Sequence, residues 1–207
     1  NGAISDTAFS LDLEDNEENK KLILASENAL NRALEKISLG VELREIGREV
    51  ESEAKKMGFQ PIVNLSGHSI DEMDLHSGVS IPNYDNSDSA KIEDGLFAIE
   101  PFVTNGVGRV HDASNGNIFV LINTKNPRSQ NAREVLEYIV DNFESLPFAS
   151  RWIVEKFGAK ALLGLRELEQ IGNLHHFPQL VEDSKGKVAQ SEHSVLIEGN
   201  EKIVITK

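Results

Sequence analysis

The apolar run from Gly95 to Thr104 restricts the possible folds of this chain more than any other feature. Its aliphatic and aromatic residues favour a buried β-strand, but Glu100 and Pro101 stand in its middle. A buried carboxylate needs a partner, usually a cation or a metal ion, and proline inside a strand favours a bulge or a sheet edge. The run therefore predicts a central strand that bends where it carries a charge, unless Glu100 faces solvent.

Helical patterns precede this central strand. Apolar residues recur every three or four positions over 16–39 and again over 42–57, and Gly40 and Gly58 are the expected stop signals. The stretch that ends at Leu13 has strand character, and the acidic run after it suits a helix N-terminus, where the helix dipole is positive. We therefore expect one strand and two helices before the central strand.

Strand and turn patterns follow it. Asn105-Gly106 and Asn115-Gly116 are hairpin signals, so 107–112 and 117–123 should form a meander with the central strand. Two further strands, 187–197 and 202–206, close the chain and are joined by Gly199-Asn200. The pattern predicts an α+β fold.

The residues between these strand regions predict an insertion. Helical spacing runs over 127–178, and prolines divide the block into three helices. We expect an inserted helical subdomain in which Trp152 lies in a small core of its own.

Composition excludes several kinds of site. Among the 207 residues, 39% are hydrophobic and 27% are charged, as in globular proteins, and no apolar run approaches the roughly 18 residues of a membrane span. The absence of cysteine excludes disulfides, thiolate metal sites and a cysteine nucleophile. The formal charge of −13 disfavours direct binding of nucleic acid. Any metal must therefore be held by His, Asp and Glu.

Four residues that could bind such a metal lie on four separate strand or loop segments. Asp6 lies in the opening stretch and His68 follows the second helix. Glu100 interrupts the central strand, and Glu192 lies in the penultimate one. Three carboxylates with one imidazole suit divalent manganese, iron, cobalt or zinc. His68 and His76 could equally be hydrogen-bonded structural residues, and spacing alone does not establish that the four candidates converge.

Four ordered motifs organise these residues. They are NLSGHSIDEMDLHSGVSIPN, FAIEPF, LPFASRW and AQSEHS. With them, the sequence resembles the type 2 methionine aminopeptidases, in their archaeal form, over essentially the whole chain. The resemblance implies the pita-bread fold, in which an antiparallel sheet is backed by helices. It also implies a cytoplasmic enzyme with a site for two divalent metal ions, such as cobalt, manganese, iron or zinc.

The resemblance also implies a role for each candidate residue. The metal ligands would be Asp6, His68, Glu100 and Glu192. His76 matches a histidine that contacts the substrate without binding metal, and Phe177 matches an aromatic position near the methionine pocket. Ser191 departs from the family, which usually has phenylalanine beside the last ligand, and this raises the question of how the residue is packed.

The family pattern predicts how the chain divides. Glu100 and Glu192 lie 92 positions apart, and type 1 enzymes join the matching glutamates by a much shorter connection. Residues 127–178 would then be the type 2 helical subdomain, and residues 1–126 and 179–207 the catalytic domain. The resemblance covers about the last two-thirds of the enzyme. We expect a further metal-binding aspartate upstream of Asn1, in an N-terminal segment that accompanies the chain as a separate polypeptide or is missing from it.

The implied reaction is removal of the N-terminal methionine from nascent polypeptides whose second residue is small. Metal-activated water would attack the scissile carbonyl. Glu100 would transfer the proton, and His76 would donate a hydrogen bond as charge develops. Two alternatives remain open: an Xaa-Pro dipeptidase of the same fold, and a non-catalytic pita-bread protein that binds partners or RNA.

Overall fold

A computed structural model describes residues 2–207 and contains five helices and eleven strands within them. The helices are α1 (Glu17–Lys36), α2 (Leu43–Lys56), α3 (Gln130–Asn142), α4 (Ser150–Phe157) and α5 (Ala161–Gln170). The strands are β1 (Gln60–Pro61), β2 (Ser66–Ile70), β3 (Ser80–Pro82), β4 (Gly95–Ile99), β5 (Phe102–Thr104), β6 (Val110–Leu121), β7 (Phe148–Ala149), β8 (Leu174–Glu182), β9 (Val188–Gln190), β10 (His193–Glu198) and β11 (Glu201–Val204). No helix in this part of the chain is long and apolar enough to cross a membrane.

The chain divides into two compact units, of which the first comprises Asn1–His111 and Val181–Lys207. It contains a five-stranded antiparallel sheet in the order β11-β10-β4-β2-β3 and a three-stranded antiparallel sheet in the order β1-β5-β9. α1 and α2 pack on these sheets through a buried apolar core that includes Leu22, Ile37, Ile46, Val50, Phe97, Ile99, Val103, Val195 and Ile197. Antiparallel sheets backed by helices confirm the predicted fold class.

Local sequence signals set the two helices of this unit. The side chain of Asn16 caps α1 by accepting hydrogen bonds from the backbone N–H groups of Glu18 and Asn19. The helix ends at Lys36, three residues before the predicted end, because Ile37 adopts an extended backbone. The stop predicted for α2 is confirmed, since Gly58 has a left-handed φ of 86° directly after the helix.

The central strand bends where Glu100 and Pro101 interrupt it, as the sequence predicts. β4 ends at Ile99 in the five-stranded sheet, and β5 begins at Phe102 in the three-stranded sheet. The last strand region is divided in the same way, because Ser191 and Glu192 separate β9 from β10. Since β4 pairs with β10 and β5 with β9, the two interruptions lie side by side.

The predicted meander is wrong. Asn115-Gly116 lies inside the continuous strand β6, which belongs to a separate sheet in the order β7-β6-β8. A Cβ at Gly116 would lie 2.9 Å from the carbonyl oxygen of Phe177, so this glycine permits a close backbone approach and does not make a turn. The hairpin predicted at Gly199-Asn200 is confirmed, because these residues connect β10 to β11.

The second compact unit, Asp112–Leu180, contains the three helices expected between the strand regions. It begins before the predicted boundary at 127 and includes strands as well as helices. Its buried core comprises Phe119, Ala132, Val135, Leu136, Ile139, Phe148, Ile153, Ala161, Leu165, Leu168 and Leu174. The expected place of Trp152 in this core is wrong. Its side chain is 41% exposed and stacks on Phe143, whereas the adjacent Ile153 is buried.

One carboxylate of the first unit ties together the two chain segments between which the second unit is inserted. Buried Glu182 accepts hydrogen bonds from the backbone N–H groups of Val107 and Gly108 before the insertion, and from those of Ser184 and Gly186 after it. Burial opposes the charge, but these bonds and one from the Ser184 hydroxyl lower the pKa of Glu182 to about 2. The carboxylate therefore holds the start and the end of the insertion together.

The core of the second unit predicts the effect of a single truncation. Ile139→Ala should lower the free energy of unfolding by about 2–5 kcal/mol, because Ile139 is fully buried and the cavity cannot fill without rearrangement. Trp152, the only tryptophan, allows the unfolding of this unit to be followed by fluorescence in urea. Val140→Ala, on the same helix but 37% exposed, is the control and should cost less than about 1 kcal/mol. Equal losses in the two variants would contradict a separate core.

Candidate metal centre

The structure brings the four ligand candidates of the first unit together. Asp6, His68 and Glu192 each offer a ligand atom, and these atoms all lie within 4.8 Å of one another. Nε2 of His68 is 3.8 Å from Oδ2 of Asp6 and 3.4 Å from Oε1 of Glu100. Residues from four distant chain segments therefore form one cluster.

Strand register explains how three of these side chains reach the same place. His68 on β2 lies opposite Ala98 on β4, and Ala98 lies opposite Ser194 on β10. Residues two apart on a strand share a face, so Glu100 and Glu192 project on the side of Ala98 and Ser194. The small side chains of Ala98 and Ser194, both fully buried, leave room for the larger polar groups around them.

Asp6 arrives on a segment that is fastened to β10 by hydroxyl groups. The predicted strand that ends at Leu13 is reduced to one β-bridge, between Ala8 and Glu192. The Ser194 hydroxyl accepts from the backbone N–H of Asp6 and donates to its carbonyl oxygen, at 2.8 and 2.7 Å. The Thr7 hydroxyl donates to the carbonyl oxygen of Glu192. These bonds hold the backbone of Asp6 beside the last ligand candidate.

The cluster concentrates negative charge in a poorly solvated place. Burial, followed by the charges of Glu192 and Asp6, raises the pKa of Glu100 to about 9. Burial and then the neighbouring carboxylate of Asp6 raise the pKa of Glu192 to about 7. Burial, and next the proximity of His76, lower the pKa of His68 and favour the neutral imidazole that a metal requires. The charged forms of the two glutamates thus need an additional cation.

The cluster fits a divalent metal ion. Asp6 and Glu100 lie close to the imidazole of His68, and none of the ion pairs within residues 2–207 joins Asp6, Glu100 or Glu192 to a Lys or Arg. Oε1 of Glu192 is buried and accepts no hydrogen bond from the described part of the chain. An unsatisfied buried carboxylate oxygen is costly, and a metal ion would satisfy it. Three carboxylates with one imidazole form a donor set for manganese, iron, cobalt or zinc.

A cavity of about 410 Å³ opens beside this cluster and would admit a substrate end group. It is lined by His68, His76, Glu100 and Phe102, among others. The exposed ring of His76 stands edge-on to that of His68, with 4.3 Å between ring centroids. His76 is therefore beside the cluster.

Phe177 lies on β8, in the second unit. It is half-buried, with its ring edge-on to His175. Its place near the methionine pocket stays a prediction.

Two features of the AQSEHS motif were missed by the sequence reasoning. The Gln190 amide donates to Oε2 of Glu100 at 3.0 Å and to Oε2 of Glu192 at 3.4 Å. Ser191 is buried, and its hydroxyl lies 2.8 Å from that of Ser26 on α1. The serine is thus packed by a hydrogen bond. Strand alternation around Glu192 is the signal that could have placed Gln190 on the face of the ligand candidates.

Comparison with known proteins identifies relatives over the whole chain. The sequence profile of metallopeptidase family M24 matches residues 1–198. A methionine aminopeptidase of Pyrococcus abyssi is 40% identical over 209 residues, which cover 100% of this chain and 70% of that protein.

Solved structures establish the pita-bread fold. A thermophilic Arx1 superposes with a TM-score of 0.72 at 16% identity, over 89% of this chain and 56% of the other. A methionine aminopeptidase of Thermotoga maritima superposes with a TM-score of 0.57 at 19% identity, over 93% of this chain and 53% of the other. The chain thus spans little more than half the length of these solved chains.

The raised pKa of Glu100 predicts how the metal-free protein responds to pH. Above pH 7 the unfolded carboxyl, with an ordinary pKa of 4.5, is ionised, whereas folded Glu100 keeps its proton until about pH 9. The folded state then binds most of one extra proton, so the free energy of unfolding should fall by about 1 kcal/mol per pH unit between pH 8 and 9, above the range in which Glu192 titrates. Urea unfolding in a chelator measures this slope.

Glu100→Gln is the matched control because it cannot ionise, and its unfolding free energy should be nearly level over that interval. His68 does not interfere above pH 8, since its pKa is lowered in the folded state and has the ordinary value of 6.5 in the unfolded chain, so it is neutral in both. Equal slopes for the two proteins would show that Glu100 does not hold the extra proton.

Proposed function

The chain belongs to metallopeptidase family M24, and we propose that it removes the N-terminal methionine from nascent proteins and peptides whose second residue is small. The observation that carries this proposal is the meeting of three carboxylates and one imidazole, with no Lys or Arg partner among the described residues. Relatives at about 40% identity, which are named methionine aminopeptidases, supply the reaction.

Two divalent ions would be bound by Asp6, His68, Glu100 and Glu192. When bound, they supply Lewis-acid polarisation of the scissile carbonyl and lower the pKa of water. His68 contributes a neutral nitrogen, and the carboxylates contribute the negative charge that a pair of dications needs. Four residues are few for two ions, so the second ion would need further ligands in addition to these four.

The remaining chemistry falls to Glu100 and His76. Glu100 borders the cavity through a mostly buried carboxylate, so it can take a proton from water and return it to the departing amine. His76 borders the same cavity from an exposed position, where a ring N–H can donate to the carbonyl oxygen as negative charge develops there.

The length of the insertion supports assignment to the type 2 enzymes. Asp112–Leu180 forms a compact unit with its own core, between the two strand interruptions that carry Glu100 and Glu192. We propose that this unit is the helical subdomain of the type 2 form and that Phe177, within it, borders the methionine side chain.

The proposed substrate predicts a pattern of activity. With manganese or cobalt, the purified protein should release methionine from Met-Ala-Ser, react much more slowly with Met-Leu-Ser, and lose activity in a chelator. Glu192→Gln is the control, because it removes a ligand and should weaken both metal binding and turnover. Preferential cleavage of Ala-Pro would favour the Xaa-Pro dipeptidase, and tight metal binding without hydrolysis of any peptide would favour a non-catalytic protein.

The role proposed for His76 separates turnover from metal binding. His76→Ala should lower kcat on Met-Ala-Ser about 100-fold or more, because the lost donor matters most in the transition state. Manganese affinity, measured by calorimetry, should change by less than about threefold, since His76 is not a ligand. His111→Ala, at an exposed histidine paired with Asp183, should leave both quantities unchanged. Normal turnover of His76→Ala would remove His76 from the mechanism.

A further inference from the structure

The side-chain amide of Gln190 lies between two of the proposed metal ligands. Its nitrogen is 3.0 Å from Oε2 of Glu100 and 3.4 Å from Oε2 of Glu192. We propose that Gln190 is a positioning residue, which fixes both carboxylates in the orientation that metal binding requires. This inference rests on the proposed metal site and adds to it a residue that is not itself a ligand.

The hydrogen-bonding capacity of the amide suits this role. An –NH₂ group carries two hydrogens, so it can donate to both glutamates at once. It contacts Oε2 of each and leaves the two Oε1 atoms for other partners. Oε1 of Glu100 lies 3.4 Å from Nε2 of His68, and Oε1 of Glu192 is buried and accepts no hydrogen bond from residues 2–207. A single donor therefore sets the rotation of two carboxylates.

The backbone from which this amide projects is itself fixed. Gln190 pairs with Phe102 at the end of the β5–β9 ladder. The Ser10 hydroxyl donates to the carbonyl oxygen of Gln190 at 2.9 Å and accepts from its N–H at 2.8 Å. Ser10 follows Asp6 on the same segment, so this clamp also connects the Asp6 segment to Gln190.

Ser191, which follows Gln190, orients the side chains of Gln190 and Glu192. The Ser26 hydroxyl donates to the carbonyl oxygen of Ile23, so its hydrogen bond with Ser191 must use the Ser191 hydrogen. Ser191 therefore points toward α1, while Gln190 and Glu192 point to the opposite side, where they meet. The amide is held in place by groups on both faces of the chain.

A positioning role affects metal affinity and turnover, whereas a purely structural role affects only the stability of the fold. If Gln190 only satisfied buried carboxylates in the folded state, its loss would lower stability and leave metal affinity and turnover per bound metal unaltered. If it presets the ligands, its loss must weaken metal binding, because the carboxylates then have to be ordered by the metal itself.

Gln190→Met tests this difference, since methionine has a similar length and no donor. Calorimetric titration with manganese should show an affinity about 10- to 100-fold lower than in the unaltered protein. At saturating manganese, kcat on Met-Ala-Ser should fall while KM stays within about twofold, because the amide does not contact the substrate cavity in this arrangement. Gln130→Met, on the exposed face of α3, is the matched control and should change neither quantity.

A second variant keeps the inference testable if Gln190→Met folds poorly. Ser10→Ala keeps the Gln190 side chain but removes the two hydrogen bonds between the Ser10 hydroxyl and the Gln190 backbone. The amide is then less well fixed, so manganese affinity should fall roughly fivefold. Manganese affinity and kcat within twofold of the unaltered protein in Gln190→Met, or in Ser10→Ala if that is the variant that folds, would overturn the positioning role alone. Absence of manganese binding in the unaltered protein would overturn the proposed function and this inference together.

Discussion

Mutual repulsion among Asp6, Glu100 and Glu192 is the interaction on which the organisation of the first unit depends. These carboxylates meet in a partly buried cluster around the imidazole of His68, and no Lys or Arg among the described residues pairs with them. Burial and crowding raise the pKa of Glu100 to about 9 and that of Glu192 to about 7. The fold must therefore hold these groups together against their preference to separate or to stay protonated. A divalent ion would convert this repulsion into attraction.

Two adjacent interruptions of the sheets supply the restraint. The chain leaves one sheet at Glu100 and Pro101 and the other at Ser191 and Glu192. Because Ile99 pairs with His193, the register of β4 and β10 leaves Glu100 and Glu192 side by side at these interruptions. β4 with β10 and β5 with β9 keep the backbone paired on both sides of them. Backbone pairing thus holds the ligand candidates in place and leaves their side-chain carboxylates available to a metal ion.

Small hydroxyl residues complete the restraint where strand pairing stops. Ser194 binds both backbone groups of Asp6, and Ser10 binds both backbone groups of Gln190. Each hydroxyl can donate once and also accept, so one side chain can replace two ladder hydrogen bonds. Ser191 uses the same capacity to connect the last strand interruption to α1. Serine therefore fits next to Glu192.

The sequence by itself determined the features that depend on near neighbours. Apolar spacing and the acidic run at the helix N-terminus predicted α1, and the motif around Glu100 predicted both the bend and the chemistry of the cluster. Only the tertiary structure decided that Asn115-Gly116 continues a strand, because β8 approaches it from more than 60 residues away. The same holds for the amide of Gln190, which contacts Glu100 across 90 positions. Such contacts depend on which distant strands lie side by side and in what register, and no local preference of the chain encodes that arrangement.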